Sequence, residues 1–484
     1  MPSSPYTNLE DPMVSVQLKL DGRDMSGEYG IRSIDINHAV NKISYAEVVL
    51  VARVEGGVDK INASDLDLFN PGVKIEILSG YGNSPARLFK GIIVRHSLEL
   101  SIDSGFTLRL ICKNEAIKMT YTERERYFLQ QTDSAIVNKI VADYGLQCTV
   151  STTTEKYEHM YQGMATDWDF IVSRASFNGL IITMDREDRI TIKAPEVSGS
   201  SVLKIEAGAD IISFDGTLNA ENQPSGVSVS AWDSKTLRFI KSTAAEPKMN
   251  AQGNISAKSL SSKLQQGELN MKSTTPMTSS ELKIWANGIL LRERLAAITG
   301  KVTFTGNATV KTGDIITIAG VGAKFNGDAF VTGVSHTIDS GTWRTTASFG
   351  LEKNQVCQIA GFSHTEATTQ LSQGQSIHLG LVTKLEGDPS GSYRVQVEVP
   401  SPAGTPASVW ARISNFYATN NAGAFFLPEV GNEVVLGFVN NDPRHPVILG
   451  SLHNGKNAPP YTANSKNNIK AIVTRSRMKV EFDD

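Results

Sequence analysis

The strongest constraint in this chain is a two-residue hydrophobic rhythm. Val14, Val16, Leu18 and Leu20 alternate with Ser15, Gln17 and Lys19, which gives a strand one apolar and one wet face. The same alternation runs through residues 72–78 and 106–111, and Asp21-Gly22 and the glycine-bearing stretches 79–82 and 103–105 separate the runs. Residues 1–120 therefore predict an antiparallel barrel or sandwich.

The period changes over 121–200. Thr132-Asp133 can cap a helix whose apolar positions are Ile136, Val137, Ile140, Val141 and Tyr144, one face at 3.6 residues per turn, with Gly145 as its stop. A second helix begins near Thr166-Asp167, places Trp168, Ile171, Val172 and Ala175 on one side, and ends around Gly179. Strands at 180–184 and 189–193 flank an acidic turn, so this stretch predicts a small α+β insert. Alternation returns over 201–362, a second barrel-like unit. Its polar stretch 244–272 predicts a long exposed loop. A helix over 279–299 is signalled by the capping box Thr278/Glu281 and the stripe Leu282, Trp285, Ala286, Ile289 and Leu290, with Gly300 closing it.

A Ser/Thr/Gln-rich linker is expected at 363–375. Residues 376–458 then carry five short strand patterns, the number and spacing of an oligonucleotide/oligosaccharide-binding (OB) barrel. A polar neck over 459–484 follows Pro459-Pro460 and ends in an alternating run in which Met478, Val480 and Phe482 share one face.

Composition removes several function classes. Lys plus Arg number 47 against 50 Asp plus Glu, a balance that argues against a nucleic-acid binder. Cys112, Cys148 and Cys357 are far apart and form no CxxC pair, so buried free thiols are expected rather than disulfides or a zinc site. The first nine residues are polar and no run of about 18 apolar residues occurs. The chain is expected to be made in the cytoplasm and to leave, if it does, by a route other than general secretion.

Catalytic motifs dissolve on inspection. Gly450 to Asn457 imitates a phosphate-binding loop, but Asn457 stands where a hydroxyl is needed and Pro459-Pro460 forbids the following helix. Ser335-His336 lacks the second glycine of a nucleophile elbow and reads as a surface serine beside a histidine. Asp185, Glu187 and Asp188 read as a solvated hairpin tip. Asp65 and Asp67 show no raised-pKa pocket. No catalytic, cofactor or metal residues are assigned, and the chain is expected not to be an enzyme.

The most informative segment is 427–450. Its turn Pro428, Gly431 and Glu433 leads into a strand, and its loop Asp442, Pro443 and Pro446 leads into the next. This pattern resembles the OB-domain signature of VgrG-type and phage-tail-like spike proteins of contractile injection systems. Asn441 departs from the family by replacing the more usual glycine. A second match spans 161–179, where Asp167, Trp168, Asp169, Phe170, Arg174 and Gly179 resemble the helix of phage late-control and VgrG hubs. A third and weaker one runs from Trp285 to Gly300.

The resemblance implies a mainly β fold with an α+β insert: tandem hub barrels, an OB-fold barrel and the start of a trimeric β-helix needle in which Met478, Val480 and Phe482 face the axis. It implies a homotrimer that meets a hexameric inner tube and baseplate proteins, carries a PAAR-like tip protein and possible effector cargo, and pierces the target membrane mechanically without binding nucleic acid. More needle sequence is expected after Asp484. Some phage relatives carry a lysozyme domain between OB domain and needle, and the direct run from Gly450 through Pro459 to Ile472 leaves no room for one. A glycan-binding OB module is the other alternative, with Trp410, Phe416 and Tyr417 as its aromatics, although core or trimer contacts suit these better. Type VI, phage and extracellular machines all remain open, the short form and the Asn-Asn-Asp-Pro loop leaning towards the extracellular kind.

Overall fold

The computed structural model describes residues 13–25, 29–51, 67–82, 85–101, 105–233, 236–273, 276–351, 377–400, 406–439 and 442–484. The expected linker 363–375, together with Asp65, Cys357 and Asn441, lies outside them. Two compact units result: residues 1–124 with 128–372, and residues 125–127 with 373–484.

In the first unit, thirteen strands of the described residues form one sheet. The N-terminal half runs through Val14–Leu20, Lys74–Tyr81, Ala86–Ser101, Gly105–Lys113, Tyr45–Val51 and Gly30–Ala39, and the C-terminal half through Gly327–Asp339, Thr342–Phe349, Ile298–Thr305 and Ile211–Leu218. What the sequence separates into two hub barrels is joined where Gly333 to Asp339 pair antiparallel with Ser33 to Ala39. Alternation does its expected work within each half. Ile75 and Ile77 are fully buried while Lys74 is exposed, and each such side chain contributes about 1.5–3 kcal/mol on leaving water. Ile338 and Trp343 from the C-terminal half complete the N-terminal core, so the halves share packing as well as backbone hydrogen bonds.

Four helices decorate the described part of this unit. Helix α1 (Asp133–Ala142) and helix α2 (Asp167–Phe177) are capped by Thr132 and Thr166, whose side chains accept from Ala135 and Asp169 N–H. Helix α3 (Ala257–Lys263) and the strand Leu269–Ser273 occupy the stretch expected to be a loop. That strand adds parallel to Val227–Asp233. Its side chains alternate too briefly to signal a strand, and a neighbour 42 residues upstream supplies the ladder. Helix α4 (Ser279–Leu295) carries the capping box in full and buries Leu282, Trp285, Ala286 and Leu290.

Helix α4 stops short of the expected 299, because Ile298–Thr305 is a strand. Gly300 lies inside that strand: a Cβ there would meet Asp215 O at 2.1 Å, so this glycine permits close strand approach rather than ending a helix. Gly288 serves helix packing in the same way. A Cβ on it would sit 2.8 Å from the Cα of Gly179, which closes α2 at φ +68°. Gly288→Val is expected to destabilise the hub by about 1–3 kcal/mol through overpacking, and Gly288→Ala by less, measured as denaturant midpoints.

In the second unit the strands His378–Lys384, Val395–Val399, Ala407–Ile413, Pro446–Leu452 and Glu433–Phe438 close a five-stranded barrel in that spatial order, the connectivity of an OB fold. Val382, Val395, Val397, Val409, Val434, Leu436 and Ile448 fill it.

Candidate functional site

The residues that the sequence singles out fall into three places. The first is α2, which is buried nearly all round rather than along one stripe. Trp168 and Phe170 enter the insert core with Phe128, Ile140 and Ile171. Asp167 is fully buried and accepts from Tyr144 OH and Gln162 Nε2, each at 2.8 Å, with Arg124 Nε at 3.2 Å. Asp169 accepts from the Thr166 hydroxyl at 2.7 Å, and burial raises its carboxyl above the ordinary value.

Arg174 is the organiser. Its Nε and Nη2 reach the two carboxylate oxygens of Asp133 at 2.7 and 2.8 Å, and Nη2 also donates to Tyr157 OH at 2.9 Å. The guanidinium lies 4.7 Å from the Phe177 ring centroid, and Asn178 Nδ2 donates to Asp133 at 2.7 Å. Arg174 and Asp133 are both over nine-tenths buried. A bidentate charged pair in so dry a place fixes the crossing of α1 and α2. Tyr157 and Asn178 carry no motif of their own and Asp133 reads only as part of a helix cap, so their convergence on Arg174 is found only through the fold.

The second place is the OB loop. Gly431 takes φ +88°, donates its N–H to Val382 O at 2.8 Å, and sits in the turn from Glu429 to Asn432 that follows Pro428. Glu433 opens its strand and accepts from Asn454 Nδ2 at 2.6 Å. Asp442 is 1% exposed and accepts from Arg444 N–H at 3.0 Å, with Arg444 Nη2 at 3.0 Å on its other oxygen. Burial opposes the charge, yet the cations of Arg444 and His445 hold the carboxyl below its ordinary value. The loop is thus tied by Asp442 while Pro443 is buried beside it and Pro446 begins the next strand. The lowered pKa means that this carboxylate stabilises the barrel above the ordinary value of 3.8 and loses that contribution as pH falls through its folded value. Asp442→Ala, which strands Arg444, is expected to lower barrel stability by about 1–3 kcal/mol at pH 7 and to flatten the acid limb of its stability curve below pH 4. A second carboxylate clasp, missed in sequence, joins Asp388 to Arg394 at 2.6 Å and to the N–H groups of Ser390, Ser392 and Arg394.

The third place is the terminal ribbon. Ile469–Val473 pairs antiparallel with Lys479–Asp483, placing Ile472 opposite Val480 and Lys470 opposite Phe482. Met478, Val480 and Phe482 are 69%, 57% and 64% exposed, with Ile472 at 56%. Their shared face is uncovered, and in this single chain the ribbon is a hairpin. Phe416, Tyr417, Phe425 and Phe426 are also exposed, so Phe416 and Tyr417 lie outside the barrel core, while Trp410 is half-buried.

The sequence decoys resolve structurally. The 450–457 imitation ends in a turn tied by Asn454, whose side chain accepts from Lys456 and Asn457 N–H. Asp188 is not a solvated tip residue: burial, with Glu115 adding repulsion, pushes its carboxyl up to about 6. His336 is 1% exposed, a core histidine, and Ser335 beside it is half-buried rather than on the surface, accepting from Asn37 Nδ2 at 3.0 Å. Among the described residues no cluster of three or more metal-ligating side chains occurs, and no helix is long and apolar enough to cross a membrane.

The comparisons agree with this geometry. Residues 378–453 match the type VI secretion system/phage-baseplate injector OB domain. The chain is 33% identical over 154 residues to the actin cross-linking toxin VgrG1 of Vibrio cholerae, covering 30% of this chain and 14% of that protein. It is 34% identical over 73 residues to the type VI secretion system spike protein VgrG1a of Pseudomonas aeruginosa, covering 15% and 10%. The chain therefore spans only a small part of the length of the curated relatives it matches. An Escherichia coli type VI secretion component similar to T4 tail proteins gp27 and gp5 shares the fold at TM-score 0.56 and 11% identity, over 90% of this chain and 99% of that one. The lidded Francisella PdpA–VgrG complex does so at TM-score 0.59 and 10% identity, over 99% and 77%. Hub sheet, α+β insert and OB barrel give this chain a VgrG-like fold. Residues 10–340 match the Alg8 N-terminal domain, and the chain belongs to that family.

Proposed function

We propose that this chain is the central spike of a contractile injection apparatus, a structural part that pierces the target envelope by force rather than chemistry. Three copies assemble, their hubs meet the hexameric inner tube and the baseplate proteins, and their terminal ribbons wind into the start of a triangular β-helix needle that carries a PAAR-like tip protein. The protein is assembled into an injection particle.

The observation that carries this reading is the uncovered apolar face of Ile472, Met478, Val480 and Phe482. A two-stranded ribbon is marginal alone in water, and an exposed apolar face of this kind marks an interaction surface. Three ribbons round one axis would dry those side chains, while Lys470, which shares that face opposite Phe482, keeps its ammonium on Asn467 O and Asp484, and Lys479, Glu481 and Asp483 on the other face stay in water. The exposed aromatics at 416, 417, 425 and 426 suit contacts between copies for the same reason. Solution mass of the full-length chain tests the reading: a species of three times 52.4 kDa is expected, and a monomer at micromolar concentration would overturn it.

A further inference from the structure

The seam that joins the two halves of the hub sheet contains two buried histidines. His38 lies opposite Val334 and His336 opposite Ile36, so the two rings sit diagonally on the same, inward face of the sheet. They are 8% and 1% exposed.

Their partners fix which nitrogen carries the proton in each neutral ring. His38 Nε2 is 2.9 Å from Leu88 O and must carry the proton, which leaves Nδ1 to accept from Ser44 Oγ at 2.8 Å. Trp343 Nε1 donates to His336 Nδ1 at 3.4 Å, with Thr345 Oγ1 at 3.1 Å. An indole N–H can only donate, so a proton on His336 Nδ1 would set two donors face to face.

The surrounding charges make protonation worse. Both rings line a small cavity with Arg186 and Lys311. Arg186 comes from the turn between Ile181–Met184 and Ile190–Lys193, and its Nη2 donates to Val310 O at 3.1 Å. Asp185 reaches the same cavity, but its oxygens are occupied by Glu187 N–H, Arg189 N–H and Arg189 Nε. Asp314 caps the Lys311 N–H at 2.8 Å. On the remaining side His38 meets the Phe89 ring.

We propose that this seam is an acid-sensitive latch: protonation of His38 and His336 parts the two halves of the hub sheet while the OB barrel stays folded. Burial lowers His38 to about 4, and burial, His38 and Arg186 together hold His336 well below 6.5. Opened chains regain the ordinary 6.5, so they take up protons first. The latch is then fully stabilising above about pH 6.5 and is lost as pH falls towards 4. Asp188, raised to about 6, has the opposite sign over much of that window, and Asp188→Asn is expected to deepen the acid loss.

Hydrogen–deuterium exchange of the full-length chain at pH 7 and pH 5, corrected for intrinsic rates, tests the latch. Peptides from Gly30–Ala39 and Gly327–Asp339 are expected to lose protection on the order of tenfold or more, while the barrel strands Val395–Val399 and Glu433–Phe438 keep theirs. In the double variant His38→Gln, His336→Asn the acid-specific loss should shrink at least threefold, whatever the variant's stability at pH 7. Unchanged seam protection at pH 5, equal loss in hub and barrel, or an undiminished loss in the variant would each overturn the proposal. The wild-type comparison decides alone if the variant does not fold.

Discussion

Arg174→Met is expected to destabilise the hub by about 3–5 kcal/mol, the loss typical of removing one partner from a buried ion pair. The methionine fills much of the space, so a cavity is not the cause. Asp133 is left buried with Tyr157 and Asn178 as its neutral partners, and the cation that paired with its charge is gone. Guanidinium unfolding followed by tryptophan fluorescence measures the shift. The double variant Asp133→Leu, Arg174→Met should recover most of it, because two apolar side chains in place of a buried pair cost little. Additive losses in the double variant would mean that Arg174 acts through packing on Phe177 and Tyr157 instead.

Val480→Lys with Phe482→Lys is expected to change assembly rather than folding. At a three-fold axis the change places six ammonium groups in adjacent layers of a dry core, and each unpaired buried charge costs several kcal/mol. The solution mass should drop from trimer to monomer, while far-ultraviolet circular dichroism of the hub and barrel is unchanged. Both positions are more than half exposed in the single chain, so the monomer has no reason to resist the substitutions. A trimer that survived both lysines would show that the ribbon does not line the axis.

Much of the fold is legible in the sequence, for a local reason. Side chains alternate across a strand and recur every 3.6 residues round a helix, so Val14–Leu20, Lys74–Tyr81 and the five barrel strands announce themselves. Caps are equally local: Thr132, Thr166 and Thr278 act within three residues. The errors come where a distant neighbour overrides the local signal. The strand Leu269–Ser273 exists because Val227–Asp233 offers it a ladder. Gly300 resembles a helix stop, yet Asp215 from another strand demands the missing Cβ.

The sites divide along the same line. Asp442 is readable because its partner Arg444 lies two residues away, and Gly431 because its own turn takes a positive φ, although its N–H partner Val382 is remote. Arg174 is readable as a motif but its partner, 41 positions upstream, is not. Ser335-His336 reads as a surface serine beside a histidine, and Trp343, Thr345 and the packing of the opposite half are what make His336 a core residue.

The sequence alone therefore determined the strand-rich class, the helix caps, the barrel and the apolar face of the last ribbon, since each is written in spacings of two to four residues. Only the tertiary structure decided that the two hub halves share one sheet, that Arg174 meets Asp133, and that two histidines lie buried at the seam. Those outcomes depend on which remote segments become neighbours, and pairing across hundreds of residues is selected by the burial of whole faces together, which no local pattern encodes.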